Sequence, residues 1–116
     1  MNKIEDELQC NLAIVFVATH KEKVIGYIYG LESRIPEQEQ IEFHEVKTIE
    51  MVDLYVDQAF QENGVGTSLV HALIEEARTR GFDKVSLLVL SANEKAVQYY
   101  EKLGFQTEAR EMSKKL

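Results

Sequence analysis

The chain is short of cysteine, proline and positive charge, has no long apolar run, and each shortage excludes something. Its one cysteine, Cys10, leaves no internal disulfide and no cysteine cluster for a metal, which fits a reducing cytosol. With no His or Asp pattern around it, Cys10 reads as a packing or surface thiol rather than a nucleophile. No apolar run approaches the roughly 20 residues of a membrane span, and the opening "MNKIEDELQ" is too acidic and too polar for a signal peptide. A soluble, cytoplasmic protein with no membrane partner is expected. Lys and Arg number 13 against 20 Asp and Glu, a net charge of −7. General affinity for nucleic acid or anionic lipid is therefore not expected, and a cationic or amine partner suits the surface better. The three histidines, His20, His44 and His71, show no metal-ligand spacing and read as ordinary surface, so no metal is expected.

What is present makes one domain over residues 1–116, with 45% apolar content enough for a core and no repeat, low-complexity tract or linker. "LAIVFVATHKEKVIGYIYGLE" holds two runs rich in Val, Ile and Tyr joined by the polar residues 20–23, a β-hairpin. The only proline falls in residues 32–45, "ESRIPEQEQIEFHE", a charged loop. Thr48 to Val56 reads as a third strand, with Val52, Leu54 and Val56 on one face and Met51, Asp53 and Tyr55 on the other. Val65 to Arg80 carries Val65, Leu69, Val70, Leu73, Ile74 and Ala77 at helical spacing, ended by Gly81 with Arg78 and Arg80 in the last turn. Residues 84–90, "KVSLLVL", read as a buried strand. Ser91 with Glu94 offers a capping box for a second helix, whose apolar stripe is Ala96, Val97, Tyr100 and Leu103 and which Gly104 stops. Phe105 to Leu116 alternates weakly, as a last edge strand. The pattern predicts a mixed α/β sheet with helices against it.

Between the third strand and the first helix lies "VDQAFQENGVGT", residues 56–67. A helix's first N–H groups carry partial positive charge without intrahelical partners, and glycines beside them remove the Cβ atoms that would hold an anion away. The stretch is thus a phosphate seat, or else Gly64 and Gly66 only turn the chain. Leu69 stands where a dinucleotide fingerprint needs its third glycine, and no Gly-Lys-Ser/Thr follows, which disfavours NAD and ATP.

Gln61-Glu62-Asn63-Gly64-Val65-Gly66 resembles the Gln/Arg-x-x-Gly-x-Gly/Ala loop of the GCN5-related N-acetyltransferase (GNAT) family. Leu54-Tyr55-Val56 and Phe60 fall at the family's spacing. "NEKAVQYYEKLGF", Asn93 to Phe105, resembles the family's second motif, and the hairpin its second and third strands, so the likeness runs from about Val15 to the C-terminus. It implies a GNAT-like α/β fold, with a mixed, mostly antiparallel sheet, splayed parallel central strands and flanking helices, shortened at the N-terminus. It also implies acetyl-CoA as co-substrate, its pantetheine arm along Leu54, Tyr55 and Val56, and its pyrophosphate on the amides of Gln61, Glu62, Asn63, Gly64, Val65, Gly66 and Thr67. With no Lys or Arg between Lys47 and Arg78, that seat must rely on backbone dipoles. Asn93 belongs to the implied cofactor set.

For chemistry, the resemblance assigns the oxyanion hydrogen bond to the N–H of Leu54. It assigns the proton for the departing thiolate to Tyr100, with Tyr99 in reserve; a phenol is still protonated at neutral pH. The alternative is that Tyr100 only fills its helix's stripe. Glu50 is the candidate base for the amine, as an alternative to water, and Asp53 a weaker one. A typical family member has more chain before the hairpin, so "MNKIEDELQ" reads as the remnant of its second helix, and the missing wall points to a compact form, a truncation or a homodimer. Three functions follow: an N-acetyltransferase acting on an amine of a small molecule, peptide or protein; a non-catalytic CoA-binding module; or a cofactor-free α/β interaction domain.

Overall fold

The computed structural model describes residues 2–3, 13–33 and 46–116. Cys10, His44 and all of the proline-bearing loop beyond Ser33 up to residue 45 lie outside the described residues. The expected hairpin forms as β2 (Ala13–His20) and β3 (Lys23–Glu32). Its two-residue turn holds Lys21 and Glu22 at φ of 51° and 67°, the left-handed pair whose twist matches that of the strands. β4 (Thr48–Val56) lies antiparallel to β3, and β5 (Lys84–Leu87) lies parallel to β4. β1 (Asn2–Lys3) adds antiparallel to β2, giving the order β1-β2-β3-β4-β5.

α1 (Val65–Thr79) lies across one face of this sheet. Leu69, Val70, Leu73 and Ala77, the centre of the expected stripe, meet Ile14, Ala18, Ile28, Ile49 and Met51 in the core. Arg80, just past the helix end, bonds the Glu76 carboxylate and the Ala13 carbonyl, each at 2.8 Å, and so ties the end of α1 to the start of β2. Two glycines of β3 let the layers meet. A Cβ on Gly26 would lie 2.8 Å from the Tyr55 carbonyl oxygen, and one on Gly30 would lie 3.0 Å from Leu73 Cδ1. Among the described residues no helix is long and apolar enough to cross a membrane.

The structure corrects five expectations. Val52 does not share a face with Leu54 and Val56, because β3 pairs Tyr29 with Asp53 and Gly30 with Met51, leaving Val52 as an unpaired bulge residue that is exposed. The alternation therefore restarts there. β5 stops at Leu87, where its pairing with Met51 of β4 is the last, and Leu88 and Leu90 are exposed. The cap of α2 (Glu94–Lys102) is Asn93, not Ser91: its Oδ1 accepts the Ala96 N–H at 3.2 Å. Residues 105–116 form no strand; most are polar or charged, and Lys84 holds Glu108 at 2.8 Å as a side-chain tether rather than a ladder. Asn2 and Lys3 are strand rather than helix remnant, and residues 4–9 lie outside the described residues.

Gly26→Ala is expected to lower unfolding stability by about 1–3 kcal/mol through overpacking against backbone. The check is the urea midpoint at an unchanged slope. A midpoint equal to the parent's would show that the Tyr55 carbonyl yields freely.

Candidate functional site

β4 and β5 stay paired only as far as Met51 and Leu87, while β4 runs on to Val56. The backbone groups facing the resulting gap follow from one hydrogen bond. Asp57 N–H donates to the Ile25 carbonyl at 2.7 Å, so at that point the chain faces β3. Successive residues of an antiparallel strand turn their N–H and C=O groups alternately to either side. Tyr55 and Asp53 therefore bond toward β3, and Leu54 and Val56 present theirs to the gap. Gln61 Nε2 donates to the Val56 carbonyl at 3.2 Å, which holds the loop against the end of β4.

That loop is built from short-range bonds. The Asp57 carboxylate accepts the Ala59 N–H at 3.1 Å and caps a single 3-10 turn, Gln58–Phe60. Asn63 N–H then bonds the Phe60 carbonyl at 3.2 Å, and Gly64, at φ 80°, turns the chain into α1. The first i to i−4 bond of the helix runs from Ser68 N–H to the Gly64 carbonyl at 3.0 Å. The amides of Val65, Gly66 and Thr67 precede it and lie at the positive end of the dipole. A Cβ on Gly66 would stand 3.6 Å from both the Tyr99 hydroxyl and Val56 Cγ2, so its absence keeps the space above these amides open.

The result is an open cleft of about 300 Å³ lined by Leu54, Val56, Gln61, Gly64, Gly66, Thr67 and Tyr99. Among the described residues no Lys or Arg lines it. Of the other expected cofactor residues, Glu62 and Asn63 sit on the exposed turn, and Val65 packs against the core. The ring of Tyr55 lies on the opposite sheet face, beside Tyr27. Asn93 spends its side chain on the cap of α2.

Tyr99 lines the cleft, with its hydroxyl 2.9 Å from that of Thr67. The sequence suggested it only as a reserve donor; the signal for more is its place three residues after Ala96, on the same helix face. Tyr100 is not among the lining residues. It is half-buried, edge-on to Tyr99 at 5.1 Å and to Phe105 at 5.7 Å, and its hydroxyl pKa is raised, first by burial and then by Tyr99. Phe105 N–H bonds the Tyr100 carbonyl and Gly104 N–H the Glu101 carbonyl, each at 3.0 Å, with Gly104 at φ 98°. This is a Schellman termination, and the Tyr100 to Phe105 ring contact is its apolar clasp.

Glu50 is exposed between the buried Ile49 and Met51, so it points away from α1, at the last paired stretch of β4 and β5. Because of the bulge Asp53 turns to the same face, where its Oδ2 accepts the Tyr27 hydroxyl at 2.7 Å. His20 packs its ring 5.2 Å from Phe60, and His71 is exposed on α1.

An uncharacterized N-acetyltransferase of Methanocaldococcus jannaschii is 33% identical over 94 residues, covering 78% of this chain and 38% of its own length. The chain thus spans about two fifths of that relative. Among solved structures, a tetramutant of the BH1408 protein from Bacillus halodurans superposes with a TM-score of 0.78 at 24% identity, over 94% of this chain and 69% of that one. The aminoglycoside N-acetyltransferase AAC(6')-Iy, solved in complex with CoA, superposes with a TM-score of 0.76 at 16% identity, over 94% of this chain and 70% of its own, a likeness of fold alone. The family model described as Acetyltransferase (GNAT) family matches residues 2–105, and this chain belongs to that family.

Proposed function

We propose that the protein is an acetyl-CoA-dependent N-acetyltransferase. The observation that carries this reading is the gap beyond Met51 and Leu87, into which Leu54 and Val56 turn backbone groups that no strand pairs, the Val56 carbonyl meeting only the Gln61 side chain, beside the head of α1. A strand-like pantetheine arm fits along those groups, and the pyrophosphate fits the amides of Val65, Gly66 and Thr67. The Thr67 hydroxyl and the Tyr99 hydroxyl are further donors where no cation lines the cleft among the described residues. The relative named as an N-acetyltransferase agrees with this chemistry.

In the reaction, the neutral amine attacks the acetyl carbon, the carbonyl oxygen takes negative charge, and the Leu54 N–H donates to it. Glu50, directly or through a water, takes the proton the amine sheds. As the C–S bond breaks, the thiolate takes a proton from Tyr100, whose burial keeps the phenol protonated above its ordinary pKa of 10.0. Tyr99 seats the cofactor. The protein works as one domain in the cytosol and as a homodimer whose contact uses Leu88 and Leu90, 78% and 75% exposed past the end of β5. Sedimentation is expected to give a dimer mass at micromolar concentration, and a monomer would overturn that contact.

Acetyl-CoA at 100 times its dissociation constant is expected to stabilise the fold by about 2.7 kcal/mol, read as a thermal shift. No shift would leave only a cofactor-free domain, and a shift without acetyl release across an amine panel would leave a binding module. Gly66→Val is expected to abolish most of the shift, because its branches enter the space above the amides. Tyr100→Phe and Tyr99→Phe separate the two phenols. The first is expected to lower kcat by roughly 10²–10⁴-fold, with acetyl-CoA affinity changed less than about threefold. The second is expected to raise the KM for acetyl-CoA with kcat nearly unchanged, and the reverse pattern would exchange their roles.

A further inference from the structure

The sheet face turned away from α1 carries a second arrangement, on the other side of the same strand residues. Gly26, Ile28 and Gly30 face α1, so Tyr27 and Tyr29 face outward. Tyr27 is paired across the ladder with Tyr55, their rings 5.7 Å apart and 30° from parallel. The Tyr27 hydroxyl donates to Asp53 Oδ2 at 2.7 Å, and Tyr29 stands opposite Asp53 in register. Glu50, three residues before Asp53, joins them only because the bulge at Val52 cancels one step of alternation. Two aromatic rings, an oriented carboxylate and a second carboxylate thus share one exposed surface, with Tyr55 51% exposed.

What such a surface suits follows from its charge and shape. An anion is repelled by Glu50 and Asp53 and by the net charge of −7. An apolar partner or a second copy would have to bury both carboxylates, which costs free energy unless they are paired. An organic cation matches both features: its charge meets Asp53, and its methylene or ammonium surface lies against the rings of Tyr27 and Tyr55. The surface also has a fixed relation to the gap. Asp53 and Tyr55 flank Leu54 in the chain, and Leu54 is the residue whose N–H faces the proposed acetyl carbonyl.

We infer that Tyr27, Asp53 and Tyr55 form an acceptor subsite for a diamine or polyamine, holding one ammonium while a second, neutral amine of the same molecule reaches the gap. The inference rests on the acetyl transfer proposed above and names its substrate class. The held nitrogen keeps its proton and takes no part in bond making. The reacting nitrogen forms the amide bond as the thioester bond breaks, its proton leaving by way of Glu50 or water.

The test compares 1,6-diaminohexane with 1-aminohexane, which share chain length and a primary amine. The diamine is expected to show kcat/KM at least about tenfold higher, the size of an exposed cation–π contact combined with a surface ion pair. Asp53→Asn keeps an acceptor for the Tyr27 hydroxyl but removes the charge, and is expected to bring the ratio near one. Tyr55→Leu is expected to lower it in part. A retained thermal shift with acetyl-CoA verifies that each variant is folded. Equal kcat/KM for the two amines in the parent, or an unchanged ratio in Asp53→Asn, overturns the subsite. Calorimetric titration of 1,6-diaminohexane without acetyl-CoA keeps the two readings apart. If neither amine is acetylated, the transferase reading fails, while diamine binding that weakens about tenfold or more in Asp53→Asn sustains the subsite and absent binding overturns it.

Discussion

Val52 has no partner on β3, and most of what distinguishes the two faces of this sheet follows from that one unpaired residue. Before it, Ile49 and Met51 fill the core under α1; after it, Leu54 and Val56 resume the same face. Without the extra residue, Leu54 would lie on the face that Glu50 occupies, and Asp53 would turn into the core. A bulge also bends its strand and increases its twist. The pairing with β5 ends at Met51, one residue earlier, so a gap opens where two parallel strands would otherwise have continued. The gap, the outward carboxylates and the inward apolar residues are consequences of one local irregularity.

At the mouth of that gap the chemistry is unusual in its charge. Under the proposed function an acidic protein holds a polyanionic cofactor with no Lys or Arg among the described residues that line the cleft. A helix end contributes about half an elementary charge, and its amides are already aimed and need no reorganisation. The short bonds that build the loop serve this end. Asp57 caps the 3-10 turn, Gln61 fastens it to the Val56 carbonyl, and Gly64 enters the helix in the left-handed region. Gln61 therefore acts as a brace between loop and strand, which explains how a neutral side chain serves at a position where Arg is also allowed.

The strands, the first helix and the glycine loop were legible because each rests on a pattern with a physical period or a steric reason. The Val-, Ile- and Tyr-rich runs of β2 and β3, the stripe from Leu69 to Ala77 and the glycine turn at Gly64 and Gly66 all survive in three dimensions. What was not legible depends on partners distant in sequence. Val52 is as apolar as its neighbours, and only its pairing with β3 reveals that it is the extra residue. Leu88 and Leu90 look like a buried strand, yet the pairing with β4 ends at Leu87 and leaves both exposed. Ser91 and Asn93 are both good caps, and Asn93 prevails as the residue whose carboxamide reaches the Ala96 amide. Tyr99 and Tyr100 are adjacent in a helix, so periodicity alone could not tell which ring would face the cleft.

The two tyrosines also show why a structural role and a chemical one need not compete. The ring of Tyr100 closes the end of α2 by meeting Phe105 across the turn at Gly104, and that duty belongs to its carbon face and its carbonyl. The hydroxyl is left over. Burial of the ring raises the phenol pKa and ties its position to the helix end, so under the proposed function the hydroxyl keeps its proton without the ring giving up its structural contact. Tyr99 is the opposite case, its hydroxyl engaged with Thr67 at the head of α1 and its ring open to the cleft. One phenol is bound by its ring and the other by its oxygen, and that division follows from their angular separation of about 100° on one helix.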